Sequence, residues 1–441
     1  MAGRQSISVW VATAVGLGAI IGAGIFVLSG TAVTLAGPDA LIAFVIVGVL
    51  ALIIALELGE LGSLMPYVKG ASYSYTYKAF GSELGFVTGT LRYMALATSI
   101  SVISLGFGSY LSSFLGVSLT VYAIPFAIAL IAVLSMINML GVKKAAQTDF
   151  GLVIVKMGIL LLFVGFAMYA VLTDPHLAGA SGLSFNLSGS AIGGIFAASV
   201  VVFFAYSGFQ SISSITDRIK GGSRGYVRSI LAAVTISITI YVLVVLALLL
   251  LLPPSAYKIT ADPLSYALQS SAAPSWLIYT VDIGALIATA SATIAMMLSA
   301  SRALYQMSSD GLLPRFLRKY NKKNDTAVNG IIVSAAVGIL MLFSGNIYVI
   351  ASIANFGLMF DYLVIGLDVM HFRRIGSRSS FMMPLYPYLP IMSVVMLLAF
   401  FMGMPREALI LGTVFTLVLI VAYYSLREIK YKKVIRVRLF R

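Results

Sequence analysis

The chain lacks cysteine and carries very little charge for its length. None of its 441 residues is cysteine, two are histidine, and Asp, Glu, Lys and Arg together make up 10%. The missing cysteine excludes disulfides, thiolate metal sites and cysteine nucleophiles. His176 and His371 are too few for a histidine-rich metal site. Soluble domains carry about 25% charged residues, so a soluble protein of this composition could not cover its surface. We expect no metal and no organic cofactor.

Long apolar runs make up most of the chain. Hydrophobic residues make up 60% of the chain, and about 20 apolar residues in sequence cross a bilayer. Twelve runs meet this length and predict an all-α integral membrane protein with twelve transmembrane helices. The first run is too long for a cleavable signal. The runs are roughly 9–35, 40–64, 84–113, 119–140, 148–172, 190–216, 227–252, 275–305, 327–344, 346–371, 386–404 and 407–426.

Positive charge is distributed unevenly between the loops. The net charge is +14, and 25 of the 29 Lys and Arg fall in alternate loops and at the two ends of the chain. Only Lys258 and Arg406 fall in the opposite loops, while Arg92 and Lys156 lie within apolar runs. Because cytoplasmic loops are enriched in Lys and Arg, both termini are expected in the cytoplasm of a cell-membrane protein. The basic tail, 427–441, then faces anionic lipid rather than nucleic acid.

Glycine clusters interrupt the first and the sixth runs. Residues 16–26 read GLGAIIGAGIF, and residues 203–209 read FFAYSGF after Gly193 and Gly194. Small residues such as Gly18 and Gly22 can serve close helix packing. Breaks at corresponding positions instead indicate an inverted-repeat transporter. On that interpretation one membrane domain, 1–441, contains a repeat over about 8–172, a second over about 190–371, and two appended helices over about 386–426.

Unwound backbone within a membrane is tolerated only where it is buried or lines a cavity. A broken helix exposes free N–H groups at one end, which attract a carboxylate, and free C=O groups at the other, which attract an ammonium. A zwitterionic amino acid presents both groups. The paired breaks therefore predict an amino acid as the small-molecule substrate.

These motifs resemble the amino acid–polyamine–organocation (APC) superfamily of transporters. Trp10 and the stretch 18–26 are similar to its first-helix signature, and 203–209 is similar to its sixth-helix break. The stretch 57–62 (ELGELG), with Pro66 and Gly70 beyond it, and 310–316 (DGLLPRF) are similar to its second-helix and eighth-helix signatures. The resemblance covers roughly 8–375 and implies a five-plus-five inverted repeat that works by alternating access.

The resemblance also implies a substrate site at the two breaks. Gly22, Ala23 and Gly24 would bind the carboxylate through backbone N–H groups. The carbonyls of Ala19, Ile20, Phe203 and Ala205 would face the amine, and Phe204 would cover the substrate. The remaining residues of the two motifs that belong to the expected site are Ile25, Tyr206 and Gly208.

Lys156 lies deep within the fifth run. An ionisable group in a membrane span is a functional candidate by default, although a long side chain can also snorkel to the interface. Some proton-coupled relatives carry a lysine at this place, so the resemblance implies a coupling role. Desolvation disfavours the charged form of a lysine. The charged ammonium would bridge the first helix near Gly18 to hydroxyls of the eighth, Ser291 first and Thr289 next.

Other embedded charges have a structural interpretation. We expect an ion pair among Arg92, Glu57 and Glu60, with a gate as the alternative. Asp282, Asp361 and Asp368 are expected to pack helices or face water, and one that faced the cavity could select cationic substrates.

The leading functional hypothesis is a proton-coupled amino acid symporter, with protons as the coupling ion and small or medium neutral substrates or a broad range. An amino acid or polyamine exchanger without proton coupling is the alternative. A channel would need a charged ring or a filter that the chain does not show, and an embedded enzyme would need clustered catalytic side chains. A nutrient sensor on a transporter scaffold would bind amino acids without carrying them. The sequence leaves the particular substrate and the oligomeric state open.

Overall fold

The computed structural model of the chain describes residues 7–65, 72–141, 145–173, 189–210, 212, 219–321, 324 and 326–439; the side chains of 23, 119–120, 145–150, 189–190 and 426–439 are not described. Helices form the regular structure of this part. They are α1 Val9–Ile20, α2 Ala23–Ala36, α3 Ala40–Leu64, α4 Ser72–Phe80, α5 Ser82–Leu115, α6 Leu119–Leu140, α7 Ala145–Thr173, α8 Gly189–Tyr206, α9 Gly222–Leu251, α10 Pro263–Ser270, α11 Ser275–Ser309, α12 Val328–Met341, α13 Ile347–Arg374, α14 Tyr388–Phe401 and α15 Arg406–Leu439.

The predicted all-helical membrane class is confirmed. Eight helical stretches of the described part are long and apolar enough to cross a membrane, and four shorter helices are also apolar. Short segments interrupt the apolar pattern where helices end. Between α12 and α13, Gly345 has a φ of +145°, which few residues other than glycine adopt. Asn346 then caps α13 by accepting a hydrogen bond from the Val349 N–H at 3.1 Å.

Two short helices lie outside the apolar runs. Helices α4 and α10 follow apolar spans and are amphipathic rather than uniformly apolar, so a search for spanning runs does not reveal them. Helix α15 continues to Leu439, well into the basic segment that the sequence assigns to a tail. Several charges of the predicted cytoplasmic set lie outside the described residues: Arg4, Lys69, Lys143, Lys144, Arg218, Lys322, Lys323 and Arg441.

Helix packing concentrates around the two interrupted runs. Helix α2 packs along α8, while α1 packs against α7 and α9. Helix α5 lies among α6, α11 and α13. Glycine makes the closest approach possible, because a Cβ added at Gly106 of α5 would lie 2.3 Å from a methyl of Val27 in α2. The interrupted ends of α1 and α8 are therefore enclosed by α5, α9 and α11.

The buried charges pair differently from the prediction. Arg92 Nη1 lies 2.6 Å from Asp361 Oδ2, between α5 and α13. Glu60 accepts two hydrogen bonds from Arg373, at 2.6 and 2.8 Å. The expected ion pair among Arg92, Glu57 and Glu60 is thus wrong: the actual partners lie some 270 and 310 residues further along the chain, a separation that helix periodicity does not report.

Candidate substrate and coupling site

The first run is broken by a tight turn centred on Ile21. Helix α1 ends at Ile20, and Ile21 has φ −76° and ψ 63°, the geometry of an inverse γ-turn. The Gly22 N–H closes the turn by donating to the Ile20 carbonyl at 2.7 Å. Helix α2 then begins at Ala23. Two half-helices therefore meet at membrane depth, with the carbonyl end of α1 facing the N–H end of α2.

The N-terminus of α2 has no side-chain cap. Its N-cap residue is Gly22, whose lack of a side chain leaves the N–H groups of the first turn without the usual hydroxyl or carboxylate acceptor. The partial positive charge of a helix N-terminus attracts anions. This geometry suits the carboxylate role assigned to Gly22, Ala23 and Gly24, which stays a prediction. Ile25 follows in the first turn and is fully buried.

The second break begins where α8 ends, at Tyr206. Both the Ser207 N–H and its hydroxyl donate to the Phe204 carbonyl, at 3.1 and 2.7 Å. The Gly208 N–H donates to Gln210 Oε1 at 3.0 Å, an oxygen that also accepts from the Tyr362 hydroxyl at 2.6 Å. Hydrogen bonds to side chains thus replace helical ones in this turn, and α8 does not continue beyond Tyr206.

Glycine lets the two breaks approach each other directly. A Cβ at Gly24 would lie 2.3 Å from Ala205 Cα, and one at Gly208 would lie 2.5 Å from the Ala19 carbonyl oxygen. Gly208 also has a φ of +117°, where a side chain would be strained. The N-terminus of α2 therefore packs on the end of α8, and the turn after α8 packs on the end of α1.

Tyr241 of α9 links the carbonyl ends of both broken helices. Its hydroxyl lies 2.7 Å from the Ile20 carbonyl oxygen and 3.0 Å from that of Ala205, so its single hydrogen is shared between these two acceptors. The ring is fully buried. Ile20 and Ala205 were predicted to offer these carbonyls to a substrate amine, and here the Tyr241 hydroxyl occupies them. In the sequence, Tyr241 is a hydroxyl-bearing residue within an apolar run, and it was not predicted as part of the site.

Tyr241→Phe is expected to destabilise the protein by about 1–3 kcal/mol, because the buried carbonyls of Ile20 and Ala205 lose the one hydroxyl hydrogen that they share. Tyr226→Phe is the matched control: Tyr226 is also buried in α9, and its hydroxyl has no hydrogen-bond partner among the described residues. Thermal unfolding of the purified variants measures the difference. Equal melting temperatures for the two variants would contradict the link that Tyr241 makes.

A small cavity of about 10 Å³, the space of about one water molecule, lies at the breaks. Of the residues predicted for the site, Ala19, Ile20, Gly22, Gly24 and Phe204 line it. The sequence reading missed Ile103 of α5, Ser207, and Ala292 and Met296 of α11. Ala292 and Met296 are four residues apart and so lie on one face of their helix. They resemble any other buried apolar positions in sequence.

Five predicted residues do not line the cavity: Ile25, Phe203, Ala205, Tyr206 and Gly208. The Tyr206 hydroxyl donates to the Phe44 carbonyl in α3 at 3.1 Å. The Phe203 ring packs edge-on against Tyr362, with centroids 5.7 Å apart. The side chain of Ala23 lies outside the described part. None of Asp282, Asp361 and Asp368 lines the cavity either.

Lys156 is buried in the bundle and contacts α11. It is 1% exposed, and its Nζ donates to Ser291 Oγ at 2.8 Å. Ser291 precedes Ala292, which lines the cavity, so the ammonium lies one residue removed from the cavity wall. The hydroxyl of Thr289, the second candidate, donates to the Ala285 carbonyl of its own helix. Gly18 is buried in α1, which packs against α7.

Backbone groups dominate the polar surface of this site. In the described ranges, no group of three His, Cys, Asp or Glu side chains is arranged to hold a metal ion. Helix ends and one buried ammonium supply the electrostatics instead. Interrupted helices that enclose a cavity in an apolar bundle define a multi-pass membrane transporter.

The chain belongs to the amino acid permease family, whose sequence model matches residues 11–436. It is 28% identical to the branched-chain amino acid permease BcaP of Bacillus subtilis over 432 residues, covering 93% of this chain and 90% of the relative. It is 29% identical to BcaP of Lactococcus lactis, covering 95% and 94%. It is also 27% identical to a methylthioribose transporter of Bacillus subtilis, covering 91% and 88%. The resemblance to the APC superfamily is confirmed.

Solved structures agree at the level of the fold. The chain superposes on a manganese transporter of Eremococcus coleocola with a TM-score of 0.58 at 15% identity, covering 100% of this chain and 98% of the other. At this sequence identity the match shows a shared fold and does not identify the transported substrate.

Proposed function

We propose that the protein is a proton-coupled symporter of amino acids in the cell membrane, carrying small or medium neutral substrates by alternating access. The observation that carries this proposal is the meeting of the two breaks, where the uncapped N-terminus of α2 lies beside the carbonyl ends of α1 and α8. An amino acid carboxylate suits the first, and its ammonium would take the place of the Tyr241 hydroxyl at the carbonyls of Ile20 and Ala205. The cavity between the breaks, about 10 Å³ here, would widen to admit the substrate.

The lining supports a neutral side chain. Ile103, Ala292 and Met296 are apolar, and the described lining holds no acid that would favour a cationic substrate. Two relatives are named branched-chain amino acid permeases, which agrees with an apolar subsite. The equally similar methylthioribose transporter means that relatives alone do not choose the substrate. The lining therefore carries more weight than the names.

Lys156 supplies the coupling in this proposal. As a charged group it holds α7 to α11 through Ser291, and as a neutral amine it has one donor fewer and no charge to stabilise. Loss of the proton would weaken this contact beside the cavity wall. Proton occupancy would thus bias one open state against the other, since a ligand shifts an equilibrium by its differential affinity for the two states.

The topology that we propose has twelve spans, with α1 and α2 forming one of them, and both termini in the cytoplasm. The first five and the next five form the inverted repeats, and α14 and α15 are the appended spans. The asymmetry of Lys and Arg between loops supports this direction.

Uptake of each of the twenty amino acids into proteoliposomes tests the substrate class. We expect leucine, valine and alanine to be taken up and arginine to be excluded. Ala292→Val adds two methyl groups to the cavity wall, so leucine uptake should fall about tenfold more than alanine uptake, as expected for the 1–3 kcal/mol cost of overpacking. Ala295→Val, on the exposed face of the same helix, is the matched control. Uptake of arginine alone, or an equal effect of both variants on leucine, would refute the assignment.

A further inference from the structure

Three carboxylates are buried between α3 and α13, away from Lys156. Glu57 of α3 and Asp361 and Asp368 of α13 are all fully buried. They lie at the end of the bundle that carries α4, which is cytoplasmic in the proposed orientation. A Cβ added at Gly366 would lie 3.3 Å from Glu57 Oε1, so Glu57 packs directly on α13 within two residues of Asp368.

Within the described ranges, a counter-charge is paired with one of the three. Asp361 is paired with Arg92 at 2.6 Å, and Arg373 is occupied by Glu60. Among the described residues, neither Glu57 nor Asp368 has a cationic partner. Each has one hydroxyl neighbour, Ser393 of α14 for Glu57 and Thr76 of α4 for Asp368. Glu57 Oε2 and Asp368 Oδ1 have no hydrogen-bond partner in the described part.

The geometry around Ser393 suits a protonated Glu57. Ser393 Oγ lies 2.5 Å from Glu57 Oε1 and 2.9 Å from the Pro390 carbonyl oxygen. The hydroxyl has one hydrogen, which cannot point well at both oxygens. If Glu57 carries a proton on Oε1, that O–H donates to Ser393 Oγ, and the Ser393 hydroxyl is free to donate to Pro390. A separation of 2.5 Å lies at the short end for an O–H···O bond. Both contacts are then satisfied.

The surrounding charges favour the same protonation state. Asp368 and Glu60 are the acidic groups that act on Glu57, and Asp361 acts on Asp368. Helix α14 contributes no charged residue, and Lys78 of α4 is exposed to solvent. Burying two neighbouring carboxylates without a cation is far more costly than binding a proton. The other titratable side chains at this end of α4, α9, α13 and α14 are Tyr73, Tyr75, Tyr77, Arg224, Tyr226, Arg228, Tyr362, His371, Arg374 and Tyr388. His371 lies one helical turn beyond Asp368, and its ring packs on Phe80 of α4 with the centroids 5.0 Å apart.

We propose that Glu57 and Asp368 form a second proton-binding site, which holds a proton on Glu57 in this arrangement of α3, α4, α13 and α14. The site goes beyond the coupling proposed for Lys156, because it lies on different helices and its occupancy needs no amino acid. Thr76 and Ser72 of α4 hydrogen-bond to Asp368 and Asp361 at 2.8 and 2.9 Å. Hydration of this end of the bundle would let the pair ionise, and the resulting repulsion would separate α3 from α13.

Infrared spectroscopy of the purified protein in detergent at neutral pH tests the site without any transport assay. Wild type is expected to show the carbonyl stretch of a protonated carboxylic acid, and Glu57→Gln should lose a part of that band. Glu407→Gln, which removes an exposed glutamate, should leave the band unchanged. Ser393→Ala should shift the Glu57 component to the higher frequency of a carboxyl without a hydrogen-bond acceptor. An unchanged band in both Glu57→Gln and Ser393→Ala would overturn the proposal.

The pH dependence of thermal unfolding gives an independent readout. A glutamate that is protonated when folded and ionised when unfolded makes the folded state bind more protons, so stability falls as pH rises above the ordinary glutamate range. Glu57→Gln keeps a neutral group of the same shape, and its amide can donate to Ser393. We expect its melting temperature to match wild type at low pH and to decline less on the alkaline side. A Glu57→Gln variant that is strongly destabilised at every pH would show that the ionised form is native.

Discussion

Replacing Lys156 by alanine is expected to abolish the accumulation of substrate driven by a pH gradient. The ammonium is buried and donates to Ser291 at 2.8 Å. A hydrogen bond to a charged group contributes about 1.5–3 kcal/mol, which corresponds to about a 10- to 150-fold shift between two conformations that differ in this contact. Without a titrating group beside the cavity, the proton gradient cannot directly shift the equilibrium between the two conformations. Proteoliposomes with an imposed gradient measure the accumulation ratio.

Two further variants separate coupling from folding. Lys156→Met removes the charge but keeps most of the side-chain volume, so it should lose coupling as Lys156→Ala does. Lys258→Ala removes an exposed lysine from the loop before α10 and should accumulate substrate like wild type. Exchange of internal for external amino acid needs no gradient and should persist in both Lys156 variants. Full gradient-driven accumulation by Lys156→Met would contradict the coupling role.

Gly24→Ala is expected to have the largest effect at the substrate cavity itself. The added Cβ would lie 2.3 Å from Ala205 Cα and 2.8 Å from Ala205 Cβ. The first atom belongs to the backbone of α8 and the second is bonded to it, so neither can move away by a change of side-chain rotamer. Relief requires α2 to move off α8, which costs about 1–3 kcal/mol or more for overpacking and opens the site. Uptake should fall at least about tenfold, and the melting temperature should drop.

Gly165→Ala is the matched control for this prediction. Gly165 is also a helical glycine, in α7, and nothing lies within 4 Å of the position that its Cβ would take. Alanine there should stabilise the helix by about 0.5–1 kcal/mol, because glycine has the larger conformational entropy to lose. Uptake by this variant should match wild type. If Gly24→Ala behaves like Gly165→Ala, the close packing of α2 on α8 is not needed for transport.

Local sequence signals predicted the breaks and the buried lysine. The glycines at 22 and 24 indicate the interruption because their effects are local. Gly22 is the N-cap residue of α2 and leaves that helix end without a side-chain cap, and Gly24 lets the backbone of α2 approach α8 closely. Lys156 is visible because a charge in an apolar run is rare whatever surrounds it. Ser291 followed from the resemblance to relatives. The structure brings the pair to hydrogen-bonding distance.

Partners across helices were beyond the reach of the sequence. Arg92 pairs with Asp361, which lies 269 residues away, and no periodic pattern links two such positions. Tyr241, Ile103 and Met296 read as ordinary members of apolar runs, and only the packing of α9, α5 and α11 brings them to the breaks. The two short helices α4 and α10 were missed because the search was for spanning length. The residues of the site that lie on α5, α9 and α11 therefore become visible only in the three-dimensional structure.

Luminal pH recorded during uptake tests the central claim most directly. Proteoliposomes containing a trapped pH-sensitive dye are kept at equal internal and external pH, and leucine is added outside. The account predicts that leucine entry acidifies the lumen of wild-type vesicles, because each substrate brings a proton with it, and that Lys156→Met vesicles show no acidification. Leucine uptake by wild-type vesicles with no change in luminal pH would contradict proton coupling.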